Sequence, residues 1–191
     1  KTTLIEALLA ANGTLASPGT IDRGSTVCDY DPLEKEHGHS LKVACTHFER
    51  DGIRVHLLDT PGYPDFAGRA MAALDAVESV GIVVNAQHGI ELSAARMALW
   101  AQTRRLCRFI VVNRIDGDDV DLPARVEELR SAFGKECLPV NLPAGRGRQV
   151  VDCFFEPAGE TTDFSSVEAA HRALVFQVVE VDDELTERYL S

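Results

Sequence analysis

The hydrophobic positions open at a helical spacing. Leu4, Leu8 and Ala11 share a face, with Ile5 and Leu9 beside it, which predicts a helix from Lys1 to Ala11 stopped by Asn12-Gly13. From Thr14 to Ser40 no period is sustained, and Gly, Ser, Pro, Asp and His dominate. A stretch of that length without a pattern inside a compact domain reads as functional or disordered. Lys42 to Arg50 alternates, Asp51-Gly52 is a hairpin signal, and Ile53 to Asp59 is the return strand. Asp65 is placed to cap a helix to about Asp75, with Phe66, Ala70, Leu74 and Val77 on one face. Short apolar runs predict strands at Val80–Val84, Phe109–Val112 and Leu138–Leu142. Helical periods predict Glu91–Leu106 and Leu122–Phe133, the latter stopped by Gly134. A further strand is predicted at Val150–Phe155. Ser166 then caps one long final helix, with Val167, Ala170, Leu174, Val178, Val181 and Leu185 on its buried face.

Alternating strands and helices imply an α/β fold, a mostly parallel sheet with helices on both faces and right-handed crossovers. The hairpin adds one antiparallel edge pair. After Pro143 the character changes to a Gly-Arg-Gly-Arg loop, a strand and the final helix. The expected division is therefore a core over residues 1–142 and a small inserted α+β subdomain over residues 143–191.

Charge narrows the partners. The 191 residues carry a formal net charge of −11. That argues against a protein held on nucleic acid, DNA included, by its overall charge, while leaving room for a local contact. The basic clusters Arg104, Arg105, Arg108 and Arg146, Arg148 read as solvated ends and loops. Cys28, Cys45, Cys107, Cys137 and Cys153 are scattered and lack a C-x-x-C pair, which argues against structural zinc or a disulfide framework and fits a reducing cytoplasm. No apolar run reaches membrane-spanning length, and the expected state is a monomer.

Three segments carry candidate chemistry. Leu57-Leu58-Asp59-Thr60-Pro61-Gly62-Tyr63 is an apolar strand ending in a carboxylate and a Pro-Gly turn. Open α/β sheets bind ligands at such strand ends. The bland reading is an ordinary β-turn. Lys1-Thr2-Thr3 opens a helix, where a phosphate-binding loop would use the Lys on β- and γ-phosphates and the hydroxyl on Mg²⁺. Simple capping is the alternative. Asn113-Arg114-Ile115-Asp116 ends another strand, and an Asn and an Asp three apart can read guanine, the carboxylate accepting from the ring N–H and the exocyclic amine. Its alternative is a strand-to-loop turn. His37 and His39 stand near each other as a conceivable metal pair or, with no third ligand nearby, as solvated loop residues.

In order and approximate spacing, these segments resemble the GTP-binding domain of translational GTPases, in particular the elongation factor G branch and its elongation factor G-like second paralogues. The resemblance runs over nearly the whole chain. Lys1 to Leu9 is similar to the end of the P-loop and its helix. Gly24 to Asp31 resembles the start of switch I, Asp59 to Phe66 the start of switch II, and Asn113 to Asp116 the N-K-x-D element. Glu187 to Leu190 resembles the end of the inserted G′ subdomain.

The resemblance implies a P-loop NTPase fold whose central first strand and P-loop glycines lie before Lys1 in the parent protein. It implies GTP and GDP with Mg²⁺ as ligands, the ribosome as partner and water attack on the γ-phosphate as reaction. By the same resemblance Lys1 would neutralise the β- and γ-phosphates, and Thr3 would lie near the α-phosphate. Thr2, Ser40 and Asp59 would serve Mg²⁺, with Asp59 in its outer sphere. The Gly62 amide would bind the γ-phosphate, and Asn113, Arg114 and Asp116 would hold guanine. The segment Thr14–Ser40 would be switch I, ordered by GTP and loosened after hydrolysis.

This sequence departs from the family in four places, of which the His37 and His39 pair is one. Ser40 stands where the family's R-G-I-T has Thr. Arg114 replaces the Lys of N-K-x-D, and the two are not interchangeable. Tyr63 replaces the His that orients the attacking water, and a phenol with a pKa of about 10 stays neutral. The second paralogues also carry Tyr there. Slow or ribosome-dependent hydrolysis is therefore one reading, and a nucleotide-sensing ribosome-binding module with negligible hydrolysis is another. A P-loop small-molecule kinase with an accidental N-x-x-D is a third.

Overall fold

Local chemistry accounts for most of the elements in the computed structural model, which describes residues 1–156, 159, 161–181 and 183–190. Helix α1 (Thr2–Ala11) buries Thr2, Glu6 and Leu9 along one face and ends at Asn12. The segment predicted to lack structure holds a short helix, α2 (Pro32–His37). Its ends are strongly specified. The Leu33 N–H donates to Asp31 Oδ1, the Asp31 N–H donates to Glu34 Oε2, Pro32 is at N1, and Gly38 ends the helix at φ 67°.

Strands β1 (Ala44–Arg50) and β2 (Ile53–Asp59) form an antiparallel ladder from Ala44 opposite Asp59 to Arg50 opposite Ile53. Asp51 and Gly52 both have positive φ, 53° and 78°, as a type I′ turn requires. This register puts Asp59 at the open end of the ladder.

The helix predicted from Asp65 is interrupted. A 3₁₀ turn covers Pro64–Phe66, α3 covers Ala67–Ala73, and a second 3₁₀ turn covers Leu74–Ala76. Phe66, and not Asp65, is the N-cap of α3. Strand β3 (Ser79–Asn85), helix α4 (Leu92–Thr103), strand β4 (Cys107–Asn113) and helix α5 (Leu122–Phe133) follow, each within a few residues of its predicted range. Asp121 caps α5 through the Ala124 N–H, and Gly134 stops it.

Strands β3 and β4 are hydrogen-bonded neighbours. The Cys107 N–H donates to the Glu78 carbonyl at one end and the Ala86 N–H to the Asn113 carbonyl at the other, so the pair runs parallel. A Cβ on Gly81 would lie 2.8 Å from the Phe109 ring, which explains the glycine.

Two expectations fail in the last third. The strand expected at Leu138–Leu142 is β5 (Asn141–Ala144), and it pairs antiparallel with β6 (Gln149–Asp152), Asn141 opposite Asp152. The single final helix is two, α6 (Val167–Val179) and α7 (Asp183–Leu190). The apolar face holds for Val167, Ala170 and Leu174, which are buried, and fails at Val178, Val181 and Leu185, which are exposed. The Thr186 hydroxyl donates to the Val179 carbonyl across the break. Ser166 does cap α6, through the Ala169 N–H.

Among the described residues the strands form three two-stranded ladders, β1–β2, β3–β4 and β5–β6, of which β3–β4 is the parallel one. The α/β class expected from the alternation holds, with the parallel pairing among the described residues at β3–β4. The chain divides into two compact units, Lys1–Ile82 with Leu92–Phe109, and Val83–Glu91 with Ile110–Ser191. The first buries Leu9, Cys28, Ala44, Ala70, Leu74, Ala98 and Ala101. In the second, Leu142, Cys153, Val167, Ala170 and Leu174 form one cluster.

Candidate functional site

The first unit concentrates its buried polarity in one place. Thr2, Glu6, Thr26, Asp29, Glu34 and Asp59 are the described polar or charged side chains that are buried, none more than 6% exposed. They come from the start of α1, the 14–40 segment and the end of β2. Buried polar groups are costly unless hydrogen-bonded, and these are.

The Thr2 hydroxyl donates to Asp59 Oδ2 at 2.6 Å and lies 3.4 Å from the Ser40 hydroxyl. Ser40 donates to Asp29 Oδ1 at 2.7 Å, and Thr26 donates to Asp29 Oδ2 at 2.8 Å. Two carboxylates and three hydroxyls thus form one chain of oxygens, Asp59–Thr2–Ser40–Asp29–Thr26. Burial raises the Asp59 carboxyl above its usual range, against the opposing pull of the Thr2 hydrogen bond and the Lys1 charge. The Cys28 thiol is pushed up to about 12 by burial and by the carboxylates of Asp59, Glu6, Asp29 and Glu34. Four acids facing one thiol make a strongly negative nest.

Lys1 flanks the nest. Its ammonium donates to the Thr60 carbonyl at 2.8 Å, and a Cβ on Gly62 would lie 3.3 Å from Nζ. The glycine therefore serves close approach, and its φ is not positive. Thr3 is exposed in the first turn of α1 and contributes none of the cluster's contacts described above. Tyr63 is 54% exposed, and its ring packs against His39 in a tilted arrangement, centroids 4.4 Å apart. His37 lies 5.8 Å beyond His39. No metal-holding group of three or more His, Cys, Asp or Glu is found among the described residues. His39 lies in the loop after α2, half-buried, with its ring against Tyr63.

Two buried carboxylates, Glu6 of α1 and Glu34 of α2, hold the 14–40 segment in shape. Glu6 accepts the Gly19 and Val27 N–H groups, tying α1 to the loop. A Cβ on Gly19 would collide with the Ser25 carbonyl backbone, so only glycine fits. Glu34 accepts the N–H groups of Asp31, Leu41 and Lys42. Burial pushes the Glu34 carboxyl up, but these donors outweigh it and hold the group below the usual carboxylate range. The missed signal was Asp31-Pro32-Leu33-Glu34, a capping box with Pro at the first helical position. From α3, Arg69 donates to the Leu41 carbonyl.

The second unit holds the other predicted residues. Asn113 ends β4, its side-chain oxygen accepting the Arg114 N–H at 2.9 Å. Arg114 is exposed with φ 59°, an uncommon conformation for a non-glycine residue. Asp116 is exposed. Behind this loop lies the β5–β6 turn, for a Cβ on Gly147 would collide with the backbone of Ile115 and Asp116. Asp163 holds that turn by accepting the Arg146 and Gly147 N–H groups at 2.9 and 2.7 Å. From α5, Arg125 donates to the Ala86 carbonyl, and Glu128 accepts the Ile90 N–H.

The family profile of the Elongation factor Tu GTP binding domain matches residues 1–187. The chain belongs to this family, and its fold is that of a P-loop GTPase G domain. It is 35% identical over 205 residues to an elongation factor G-like protein of Mycobacterium tuberculosis, covering all of this chain and 28% of the relative. It is 29% identical over 191 residues to the tetracycline resistance protein TetO of Streptococcus pneumoniae, with 28% of that protein covered. A mitochondrial ribosome-releasing factor 2 of Drosophila willistoni is 39% identical over 142 residues, covering 73% of this chain and 19% of that one. A crystal structure of a Thermus thermophilus protein superposes with TM-score 0.86 at 32% identity, covering 99% of this chain and 31% of that one. The chain thus spans under a third of the length of these relatives.

Proposed function

We propose that this chain is the nucleotide-binding G domain of an elongation factor G-like translation factor. It binds GTP and GDP with Mg²⁺, acts on the ribosome in the cytoplasm as a monomer, and hydrolyses GTP slowly or on ribosome activation. The observation that carries this reading is the buried oxygen chain Asp59–Thr2–Ser40–Asp29 beside the Lys1 ammonium. Its donors are all hard oxygens, the set Mg²⁺ prefers, with no thiolate or imidazole among them. Thr2, Ser40 and Asp59 would hold the ion, and Asp29 adds a carboxylate behind Ser40. When bound, Mg²⁺ supplies charge neutralisation at the phosphates.

The protein's own groups do the rest. Lys1 faces phosphate charge, and Gly62 leaves room for that lysine and an exposed amide for the γ-phosphate. Asn113 shapes its loop by binding the Arg114 N–H, and Asp116 presents a carboxylate to the two guanine N–H donors. Arg114 covers the base with its planar guanidinium. Thr3 lies toward the α-phosphate. The two-part division at residues 142 and 143, with an inserted G′ subdomain after it, belongs to the same reading.

The test is competition for a fluorescent GDP with and without Mg²⁺, using the protein with its natural flanking sequence, followed by GTP turnover with and without ribosomes. GTP and GDP compete and ATP does not, Mg²⁺ tightens binding, and ribosomes stimulate turnover. ATP competing as well as GTP overturns the guanine assignment. A second reading rests on Tyr63, a phenol next to Gly62 where the family has an imidazole. A ribosome-binding switch without hydrolysis would bind both nucleotides and show no turnover under ribosomes.

A further inference from the structure

We propose that His39 orients the attacking water for GTP hydrolysis, with the Tyr63 ring as the platform that holds its imidazole. The inference rests on the hydrolytic reading above and names a residue for it.

Phosphoryl transfer is catalysed mainly by positioning and electrostatics, and an attacking water needs an acceptor to aim it. Tyr63 offers only a phenol oxygen, a weaker acceptor than an imidazole nitrogen. The carboxylates nearest the site are engaged by hydroxyls, Asp59 by Thr2 and Asp29 by Ser40 and Thr26. His39 offers what they lack. Its Nδ1 lies 3.1 Å from the His37 carbonyl. A carbonyl can only accept, so Nδ1 is the donor in this contact, and in that tautomer of the neutral ring Nε2 is the acceptor.

The imidazole is also held in place. Its ring meets Tyr63 at 4.4 Å and an interplanar angle of 40°. Its chain neighbour Ser40 is bound to Asp29 and touches Thr2, and the next carbonyl, Leu41, is bound by Arg69. Tyr63 follows Gly62, which packs on the Lys1 ammonium. The ring pair is therefore anchored on both sides to the oxygen chain and the lysine. Half-burial of His39 limits its rotamers, so aiming a water costs little further ordering.

In the step, one water O–H donates to His39 Nε2. The water oxygen forms a bond to the γ-phosphorus, and the bond from that phosphorus to the β–γ bridging oxygen breaks, its electron pair staying on GDP. The other water proton passes to a γ-phosphate oxygen. His39 ends the step unchanged.

The experiment measures ribosome-stimulated GTP turnover and GDP affinity of the protein with its natural flanking sequence, its His39→Ala and His39→Gln variants, and Tyr63→Ala against Tyr63→Phe. His39→Ala lowers kcat by about 10²-fold, within the range for a positioned side-chain acceptor, while the Kd for GDP moves by less than about threefold. His39→Gln, whose amide oxygen also accepts from water, recovers about tenfold of that loss. Tyr63→Ala loses more rate than Tyr63→Phe because only Phe keeps the platform. Turnover retained by His39→Ala overturns this proposal and leaves the hydrolytic reading standing. Equal losses of kcat and GDP affinity in both His39 variants overturn it in favour of a structural role. A wild-type protein that binds GDP and never turns over GTP overturns both.

Discussion

Thr2 and Asp59 show how one hydroxyl and one carboxylate organise the site. The Asp59 carboxyl is buried and raised, so it gains by meeting a cation. Thr2→Ala removes the hydroxyl from the centre of the oxygen chain, and Mg²⁺-dependent GDP affinity is expected to fall roughly tenfold or more, read by titration with and without EDTA. Glu6 acts differently. It is fully buried and satisfies the Gly19 and Val27 N–H groups. Glu6→Ala strands both donors and is expected to cost about 2–4 kcal/mol in urea unfolding, with faster tryptic cleavage at the exposed Arg23. Glu34 has a folded pKa below its unfolded one. Its contribution is complete above the ordinary carboxylate pKa and is lost as the pH falls through the depressed folded value. Glu34→Gln should therefore remove part of the protein's acid destabilisation in a pH series of unfolding midpoints.

At the scale of elements, turns carry the information that periodicity omits. Asp51-Gly52 was legible because a type I′ hairpin demands positive φ at both central residues, and few dipeptides supply it. Helix α2 was equally specified, by Asp31, Pro32, Glu34 and Gly38. It escaped a reading based on apolar period because six residues contain too little period to detect. Strand β5 was misplaced because the apolar residues Leu138 and Val140 precede it, and the antiparallel pairing with β6 sets its range. The β5–β6 turn also supports the Asn113–Asp116 loop. Gly147 has φ 72°, and a methyl there would strike the backbone of Ile115 and Asp116. Gly147→Ala is expected to displace the Asp116 carboxylate, lowering GDP affinity roughly tenfold and narrowing the preference for GDP over IDP, whose base lacks the exocyclic amine.

Across the whole molecule, burial sorts the cysteines where composition could only count them. Cys28 and Cys153 are buried with thiols pushed up, whereas Cys45 and Cys107 are exposed. Under native conditions a disulfide-exchange reagent should modify Cys45 and Cys107 rapidly and leave Cys28 and Cys153 untouched until unfolding, as read by mass mapping. The sequence by itself determined the elements with strong local codes: α1, the β1–β2 hairpin, β3, β4 and α5. It also marked Asp59 and Asn113 as strand-end residues, since a short apolar run ending in a polar residue is a local feature. Only the tertiary structure decided which side chains meet. Nothing local says that Thr2, Ser40 and Asp29 join Asp59, that Glu6 clamps the loop at Gly19, or that His39 lies against Tyr63. Those contacts join residues 11 to 57 positions apart. They arise because buried polar groups must find partners, wherever in the chain these lie.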